Sequence, residues 1–272
     1  SFGTFKTRRA VAKNKLLAPL REFRPRGQSG TEISDFLPHI ASCADELCVL
    51  RGCHGDSVTH PESVYQMNTG SILMGRPSLG SWATYGLGTE NQNMPAFVVM
   101  PDPSGWVKGG APAWGNGYMP AAYQGTILRG GASPILNLAT PAGISGAQQA
   151  ATVDFINQLN RENLAAGEED SELAARIAAY ELAFRMQDEV PKVLDLRDEP
   201  AHVRKLYGVG DGQGHDQFAR QCLLARRLAE AGVRFIEITP PVNWDHHFLL
   251  RDSLAKTCGV TDQPIAALLT DL

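Results

Sequence analysis

The sequence predicts an α/β protein with a mostly parallel sheet flanked by helices. Two apolar, strand-like runs at 95–100 and 234–239 alternate with stretches in which apolar residues have helical spacing. Such alternation is typical of a parallel sheet, because a parallel pair of strands needs a long crossover connection, usually a helix. With 272 residues, 43% hydrophobic and 20% charged, the chain has the composition of a globular protein that can bury one large core or two domains.

The first hundred residues are expected to form helices and strands in alternation. Apolar residues at helical spacing predict the first helix, and a short apolar run that ends at Cys53 predicts the first strand. Pro61 opens the second helix, since proline fits the first turn, and glycines close the second and third helices. In order, the expected elements are a helix over 31–43, a strand over 48–53, helices over 61–70 and 77–85, and a strand over 95–100.

The rest of the chain is expected to hold a loop-rich segment, a helical insertion and a final strand between helices. Residues 101–147 combine glycine and proline with aromatic residues, which favours an ordered loop or lid over a linker. The chain begins without methionine and ends in a helix, although a crossover helix should lead to another parallel strand. We therefore interpret 1–272 as a single α/β domain that is incomplete at both ends. Its later elements are helical blocks at about 146–164 and 168–188 within an insertion over 145–207, a helix over 217–231, the strand 234–239, and an amphipathic helix over 264–272 that Asp262 is expected to cap.

Composition argues against several classes of protein. A formal net charge of −4 and the lack of a long basic run argue against nucleic-acid binding. No apolar stretch approaches the ~20 residues needed to span a bilayer. The five cysteines form no CxxC pair, which argues against a disulfide framework and against a structural zinc site. Cys48, Cys53 and Cys222 are expected to be buried free thiols.

The junction between the first strand and the second helix is the first candidate site. A helix N-terminus presents free backbone N–H groups and the positive end of the helix dipole, which together favour an anion. His54, Ser57, Thr59 and His60 stand there, and two histidines beside two hydroxyl groups indicate catalysis or anion binding. The alternative is that Ser57 or Thr59 only caps the helix.

The second candidate site follows the strand 234–239, where Trp244, Asp245, His246 and His247 stand in sequence. Sites in open α/β sheets form beyond the carboxyl ends of the strands. If the backbone is extended, Asp245 and His247 project to the same side, and a carboxylate with an imidazole can bind a divalent metal such as zinc. The alternative is an exposed polar loop that binds nothing.

Several segments together resemble a bacterial family, abundant in planctomycetes, of the alkaline phosphatase and sulfatase superfamily. The similarity covers most of the chain, and the stretches 221–235 and 261–272 are the most specific. The matching segments are Asn68–Gly70 with Pro77–Ser81, Gly117–Gln124, Gln221–Phe235, Trp244–His247 and Thr261–Leu272.

The resemblance implies an alkaline phosphatase-like fold and a site that binds divalent metal ions. Sulfatases place a nucleophilic cysteine ahead of a helix that ends in Thr-Gly, and the same distance back from Gly70 leads here to His60, with Thr59 beside it. Because neither residue is cysteine or serine, formylglycine chemistry is not expected. The resemblance implies instead that Thr59 is the nucleophile or that His60 binds metal or phosphate directly. Asp245 and His247 resemble the family's metal-binding pair, for which zinc, manganese and calcium are the candidate ions.

By resemblance, the expected function is hydrolysis of a phosphate or sulfate ester, with a small molecule or a polysaccharide as the anionic substrate. His54, Ser57 and His246 are expected to contact that substrate. The family carries an aspartate-containing motif before the position of Ser1 and acidic and Asp-His motifs after that of Leu272, so this chain is expected to hold only part of the ligand set and to be incomplete as a catalyst by itself. Export signals in the family imply an extracytoplasmic location. The alternative is a non-catalytic protein on the same fold that binds an anionic polysaccharide, with aromatic residues of 106–123 stacking on sugars.

Overall fold

The computed structural model describes most of the chain and confirms the α/β class. The described residues are 17–101, 107–129, 134–135, 140, 142–166, 171–210, 212, 215–241 and 243–272. Within those ranges, no helix is long and apolar enough to cross a membrane. The elements are β1 (Phe23–Arg26), β2 (Thr31–Ser34), α1 (Pro38–Ser42), α2 (His60–Thr69), α3 (Leu79–Leu87), β3 (Phe97–Met100), β4 (Thr126–Ile127), α4 (Gly146–Ala166), α5 (Ser171–Leu194), α6 (Ala201–Tyr207), α7 (Asp216–Glu230), β5 (Phe235–Ile238) and α8 (Leu250–Asp271).

Strand β3 is the centre of a parallel sheet. Strands β4 and β5 pair with it in the order β4-β3-β5, and Val98 lies opposite Thr126 on one side and Ile236 on the other. Every residue of β3 is buried, which explains why this strand is apolar at each position and not only at alternate ones. The mostly parallel sheet that the sequence predicts is confirmed, and β4 is a short strand that it does not predict.

Helices cover both faces of this sheet. Val98 and Met100 face α5 and α7, and the apolar residues packed there form the larger part of the core. Phe97 and Val99 face α2 and the 3-10 turn Ala111–Trp114. A Cβ atom at Gly80 would lie 2.4 Å from the ring of Phe97, so α3 approaches the sheet at a position that only glycine allows.

The prediction of a helix over 31–43 is wrong for the first half of this range. Strands β1 and β2 form an antiparallel hairpin in which Phe23 lies opposite Ser34. The turn between them uses Gly27 and Gly30, both at positive φ, which a residue with a side chain rarely adopts. The helix begins only at Pro38, where proline fits the first turn.

The strand predicted over 48–53 is also wrong. This segment contains no strand residues; it lies at the surface with Cys48 and Cys53 exposed, so the expected burial of these thiols is wrong as well. The apolar run has no neighbouring strand to pair with among the described residues. Cys222, on the inner side of α7, is buried as expected, and burial raises its pKa to about 12.

Three helices, α4 to α6, occupy the region predicted as a helical insertion. α5 continues past the predicted end at 188 to Leu194, with Pro191 inside it, and its residues Met186 and Val190 belong to the core against the sheet. α6 is a helix that the sequence does not predict. The second half of α5 therefore belongs to the central layer of the fold, and the boundaries of the insertion stay a prediction.

Asp262 caps a helix, but not the helix predicted. α8 runs without interruption from Leu250 to Asp271, so Asp262 lies in its interior. Its buried carboxylate accepts the backbone N–H groups of His39 and Ile40, at 2.9 and 2.8 Å, and thereby caps the N-terminus of α1. The predicted helix start before Pro264 is wrong because the capping pattern serves a helix far away in the sequence.

Candidate functional site

The candidate site forms where the N-terminus of α2 meets the loop that follows β5. His60 is the first residue of α2, and Val64, one turn later, packs α2 against the sheet. The loop 239–249 leaves the carboxyl end of β5 and brings Asp245 to within 2.8 Å of His60, between Oδ2 and Nε2. These two residues are 185 positions apart in the sequence, so the fold itself assembles the pair.

His247 joins the same carboxylate. Its Nε2 lies 2.9 Å from Asp245 Oδ2, so one oxygen atom contacts both imidazole rings. Asp245 is held in turn by its backbone N–H, which donates to Asn243 Oδ1 at 3.1 Å. Asp245 and His247 thus lie on one side of the chain, as the alternation of an extended backbone requires. His246 faces away from them, toward Thr257 of α8, with 3.4 Å between Nε2 and Oγ1.

The two imidazoles stabilise the ionised form of Asp245. The pKa of its carboxyl group is lowered chiefly by the hydrogen bond with His60, and also by that with His247. Both histidine side chains are more than half exposed, so the cluster opens to solvent. Asp245 is therefore a solvent-accessible carboxylate that is charged at neutral pH and hydrogen-bonded to two imidazole rings.

Neither Ser57 nor Thr59 caps α2 with its hydroxyl group. The alternative interpretation, in which one of them serves only as a helix cap, is therefore wrong. Thr59 is the N-cap residue, but its side chain makes no capping hydrogen bond. Ser57 Oγ accepts the backbone N–H of Thr59 at 3.1 Å, lies 3.2 Å from Thr59 Oγ1, and donates to the carboxylate of Glu62. Ser57 is thus tied into the loop, whereas the hydroxyl group of Thr59 is exposed and not committed to the helix.

His54 does not join the cluster. It lies in the exposed loop before α2 and makes no hydrogen bond with the six other predicted site residues, all of which the structure describes. Of the predicted set, the structure brings three side chains into contact, His60, Asp245 and His247, and places Ser57 and Thr59 next to them along the chain. The roles predicted for His54, Ser57 and His246 stay predictions.

The donor atoms of the cluster suit a divalent metal, but their present spacing is that of hydrogen bonds. Two imidazole nitrogens and a carboxylate oxygen are ligands that zinc prefers. Ligands ~2.1 Å from a tetrahedral ion stand about 3.4 Å apart, whereas the N···O distances here are 2.8 and 2.9 Å. Accordingly, the described part of the chain contains no group of three or more His, Cys, Asp or Glu residues positioned to hold a metal ion. A bound ion would require small outward movements of exposed side chains.

Glu237 is an ionisable residue of β5, the strand that leads into the loop with Asp245, and no sequence pattern marks it as a candidate. It lies in β5 opposite Val99, on the sheet face that α2 covers, and burial raises the pKa of its carboxyl group to about 7. The only signal in the sequence is a single carboxylate within an apolar strand. A carboxyl group with a pKa near neutrality can both donate and accept a proton at physiological pH.

The loop that carries Asp245 also carries exposed apolar side chains. Trp244 is half exposed, and Phe248 and Leu249 are 85% and 77% exposed. Leu249 adopts a left-handed conformation, with φ of 50°, directly before α8. Such a conformation is costly for a branched side chain and occurs often near functional sites.

The chain matches, over residues 3–272, the family described as "Protein of unknown function (DUF1501)". No curated protein and no solved structure matches the chain. The similarity to the alkaline phosphatase and sulfatase superfamily rests on the sequence motifs and stays a prediction.

Proposed function

The chain belongs to the DUF1501 family. From the residues of the candidate site, we propose that it forms part of the active site of a divalent-metal-dependent hydrolase of phosphate or sulfate esters. One observation carries the proposal: the ionised carboxylate of Asp245 gathers the imidazoles of His60 and His247 at the N-terminus of a helix. An alkaline phosphatase-like arrangement of the fold is part of the same proposal.

In this proposal His60, Asp245 and His247 hold the metal. A bound divalent ion would neutralise charge on the transferring group and activate a nucleophile. The N-terminus of α2, where His60 stands, carries the positive end of the helix dipole, which favours the phosphoryl or sulfuryl oxygens of the substrate. The lowered pKa of Asp245 keeps this ligand deprotonated at neutral pH.

Thr59 is the proposed nucleophile. Its hydroxyl oxygen is exposed, adjoins His60, and is not used in capping the helix. Ser57, 3.2 Å away, fixes the backbone N–H of Thr59 and so holds the loop that presents this hydroxyl group. The competing arrangement is direct contact of His60 with the phosphate.

Hydrolysis of 4-nitrophenyl phosphate and 4-nitrophenyl sulfate, with zinc, manganese or calcium added, tests the proposal. In a protein that contains this chain and the complete ligand set, we expect turnover with at least one ion and a fall of roughly 100-fold in Thr59→Ala and in His60→Ala. Thr152→Ala, on the exposed side of α4, is the matched control and should retain full activity. Absence of turnover with every ion, for this chain and for any longer protein that contains it, would rule out the hydrolase.

A second candidate, binding of an anionic polysaccharide without catalysis, is favoured by an exposed aromatic cluster. Trp82, Tyr85 and Tyr118 are each at least 46% exposed, and Tyr123 packs edge-on against Tyr85 at 5.3 Å between ring centroids. Exposed aromatic side chains with polar tips suit contacts with sugars. Of the other predicted stacking residues, Trp114 is buried in the core and Trp106 lies outside the described residues.

Affinity electrophoresis in gels containing dextran sulfate or uncharged dextran tests whether the chain binds an anionic polysaccharide. Binding predicts retardation by dextran sulfate that is lost in Trp82→Ala and retained in Trp244→Ala. Equal mobility in gels with and without dextran sulfate would exclude it.

A further inference from the structure

A cavity of about 720 Å³ lies at the carboxyl ends of β3 and β4, apart from the candidate site. None of the seven predicted site residues lines it. Its walls come from the ends of α5 and α6, the first turns of α7, and residues that follow β4. A volume of this size is typical of sites for small molecules, and the carboxyl ends of parallel strands are the usual place for them.

The inner wall of the cavity is apolar. Met100 at the end of β3 and Leu128 after β4 form its floor, and Leu196, Val209 and Leu224 continue it toward the helices. Met100 and Leu128 also belong to the buried core. This wall is therefore fixed by the packing of the sheet and suits an apolar group of the ligand.

Arginine side chains give the cavity a cationic rim. Arg197 and Arg220 line it but are paired, with Asp195 and Asp216 respectively. Arg129 and Arg204 line it as well, and neither forms an ion pair with any described residue. The N-terminus of α7, which begins at Asp216, adds the positive end of a helix dipole. The guanidinium groups of Arg129 and Arg204, which have no ion-pair partner among the described residues, thus favour an anionic group at the rim.

Gln221 supplies an independent indication of a ligand. This cavity-lining side chain is only 8% exposed, and its Nε2 donates to the carbonyl oxygen of Pro101 at 2.9 Å. Its Oε1 is buried and accepts no hydrogen bond within the described parts of the chain. A buried acceptor without a donor is costly, so an O–H or N–H group of a ligand would stabilise this arrangement.

We propose that this cavity binds a small amphipathic anion: an apolar body on the Met100–Leu128 floor, an acidic group at Arg129 and Arg204, and a hydrogen-bond donor facing Gln221. The proposal does not depend on the hydrolase, because the two sites share no residue. Free anions such as sulfate lack the apolar body and are expected to bind only weakly.

Fluorescence titration with 8-anilinonaphthalene-1-sulfonate tests the site, because this probe combines an aromatic body, a sulfonate and an N–H donor. We expect saturable binding of one probe per folded chain, weakened roughly tenfold by Arg204→Gln and by Arg129→Gln. Arg51→Gln, an exposed arginine outside the cavity that pairs with Glu32, is the matched control and should leave the affinity unchanged.

Competition defines the class of ligand. Octanoate should displace the probe, whereas sodium sulfate at equal ionic strength should not. Far- and near-ultraviolet circular dichroism of each variant is the control for folding. We expect wild-type spectra, because Arg129 and Arg204 are both exposed. The proposal is overturned if binding does not saturate, if both cavity variants bind like the wild type, if Arg51→Gln weakens binding equally, or if sulfate alone displaces the probe.

Discussion

At the scale of single residues, Glu237 is the group through which pH should act on stability. Burial raises its pKa from 4.5 to about 7. Between these values the folded chain holds a proton that the unfolded chain has released, so the free energy of unfolding falls as pH rises through this window. Glu237→Gln should remove this fall and stabilise the protein at pH 8 by about 1–2 kcal/mol, allowing for partial exposure of the side chain. Urea unfolding at pH 5 and pH 8 measures both quantities.

The control for this prediction is Glu162→Gln, an exposed carboxylate on α4. It should keep the wild-type dependence of stability on pH. If Glu237→Gln also kept that dependence, the carboxyl group would not carry a raised pKa in the folded chain.

The contacts of Asp245 show which parts of a site a sequence can predict. The contact with His247 follows from local backbone alternation, and the sequence predicts it. The contact with His60 depends on the packing of α2 against the sheet. Each of the two segments is recognisable as a candidate site, but no local sequence pattern predicts that His60 and Asp245 lie within hydrogen-bond distance of each other. The raised pKa of Glu237 could not be predicted, because it depends on how deeply the packed elements around β5 bury the carboxyl group.

At the scale of secondary-structure elements, α1 depends on a cap supplied from α8. Asp262→Ala removes the acceptor of two backbone N–H groups at the start of α1 and should lower the free energy of unfolding by about 1–2 kcal/mol. Urea unfolding at pH 7 measures the loss. Asp252→Ala, in the exposed first turn of α8, is the matched control and should cost about 0.5 kcal/mol or less. Equal losses in the two variants would contradict the capping role.

Elements that the sequence marks with their own local signals were predicted well. β3, β5, α2, α3 and α7 all lie close to their predicted positions, because each carries its own periodic pattern and its own start or stop residue. The errors at 31–43 and 48–53 share one cause, which is that the presence or absence of a pairing strand decided the structure. The residues of β2 have helical spacing but pair with β1, and the apolar run 48–53 has no strand to pair with in the part of the chain that the structure describes.

At the scale of the whole molecule, one parallel sheet positions both proposed ligand sites. One face of the sheet carries α2 and so positions His60 at the loop after β5. The other face carries α5 and α7, which wall the arginine-rimmed cavity at the ends of β3 and β4. The sequence predicts the sheet and the first site, because motifs mark them. It does not predict the cavity, whose walls come from five parts of the chain without a shared motif.

Binding of a divalent metal ion by His60, Asp245 and His247 is the central proposal, and zinc is the candidate ion that two imidazoles and a carboxylate suit best. Isothermal titration of tag-free protein with zinc tests it most directly, with Asp245→Asn and His247→Ala as site variants and His202→Ala, an exposed histidine on α6, as the control. We expect one zinc ion per chain, an affinity reduced roughly tenfold or more in both site variants, and no change in the control. An absence of zinc binding, or binding that Asp245→Asn and His247→Ala leave unchanged, would contradict it.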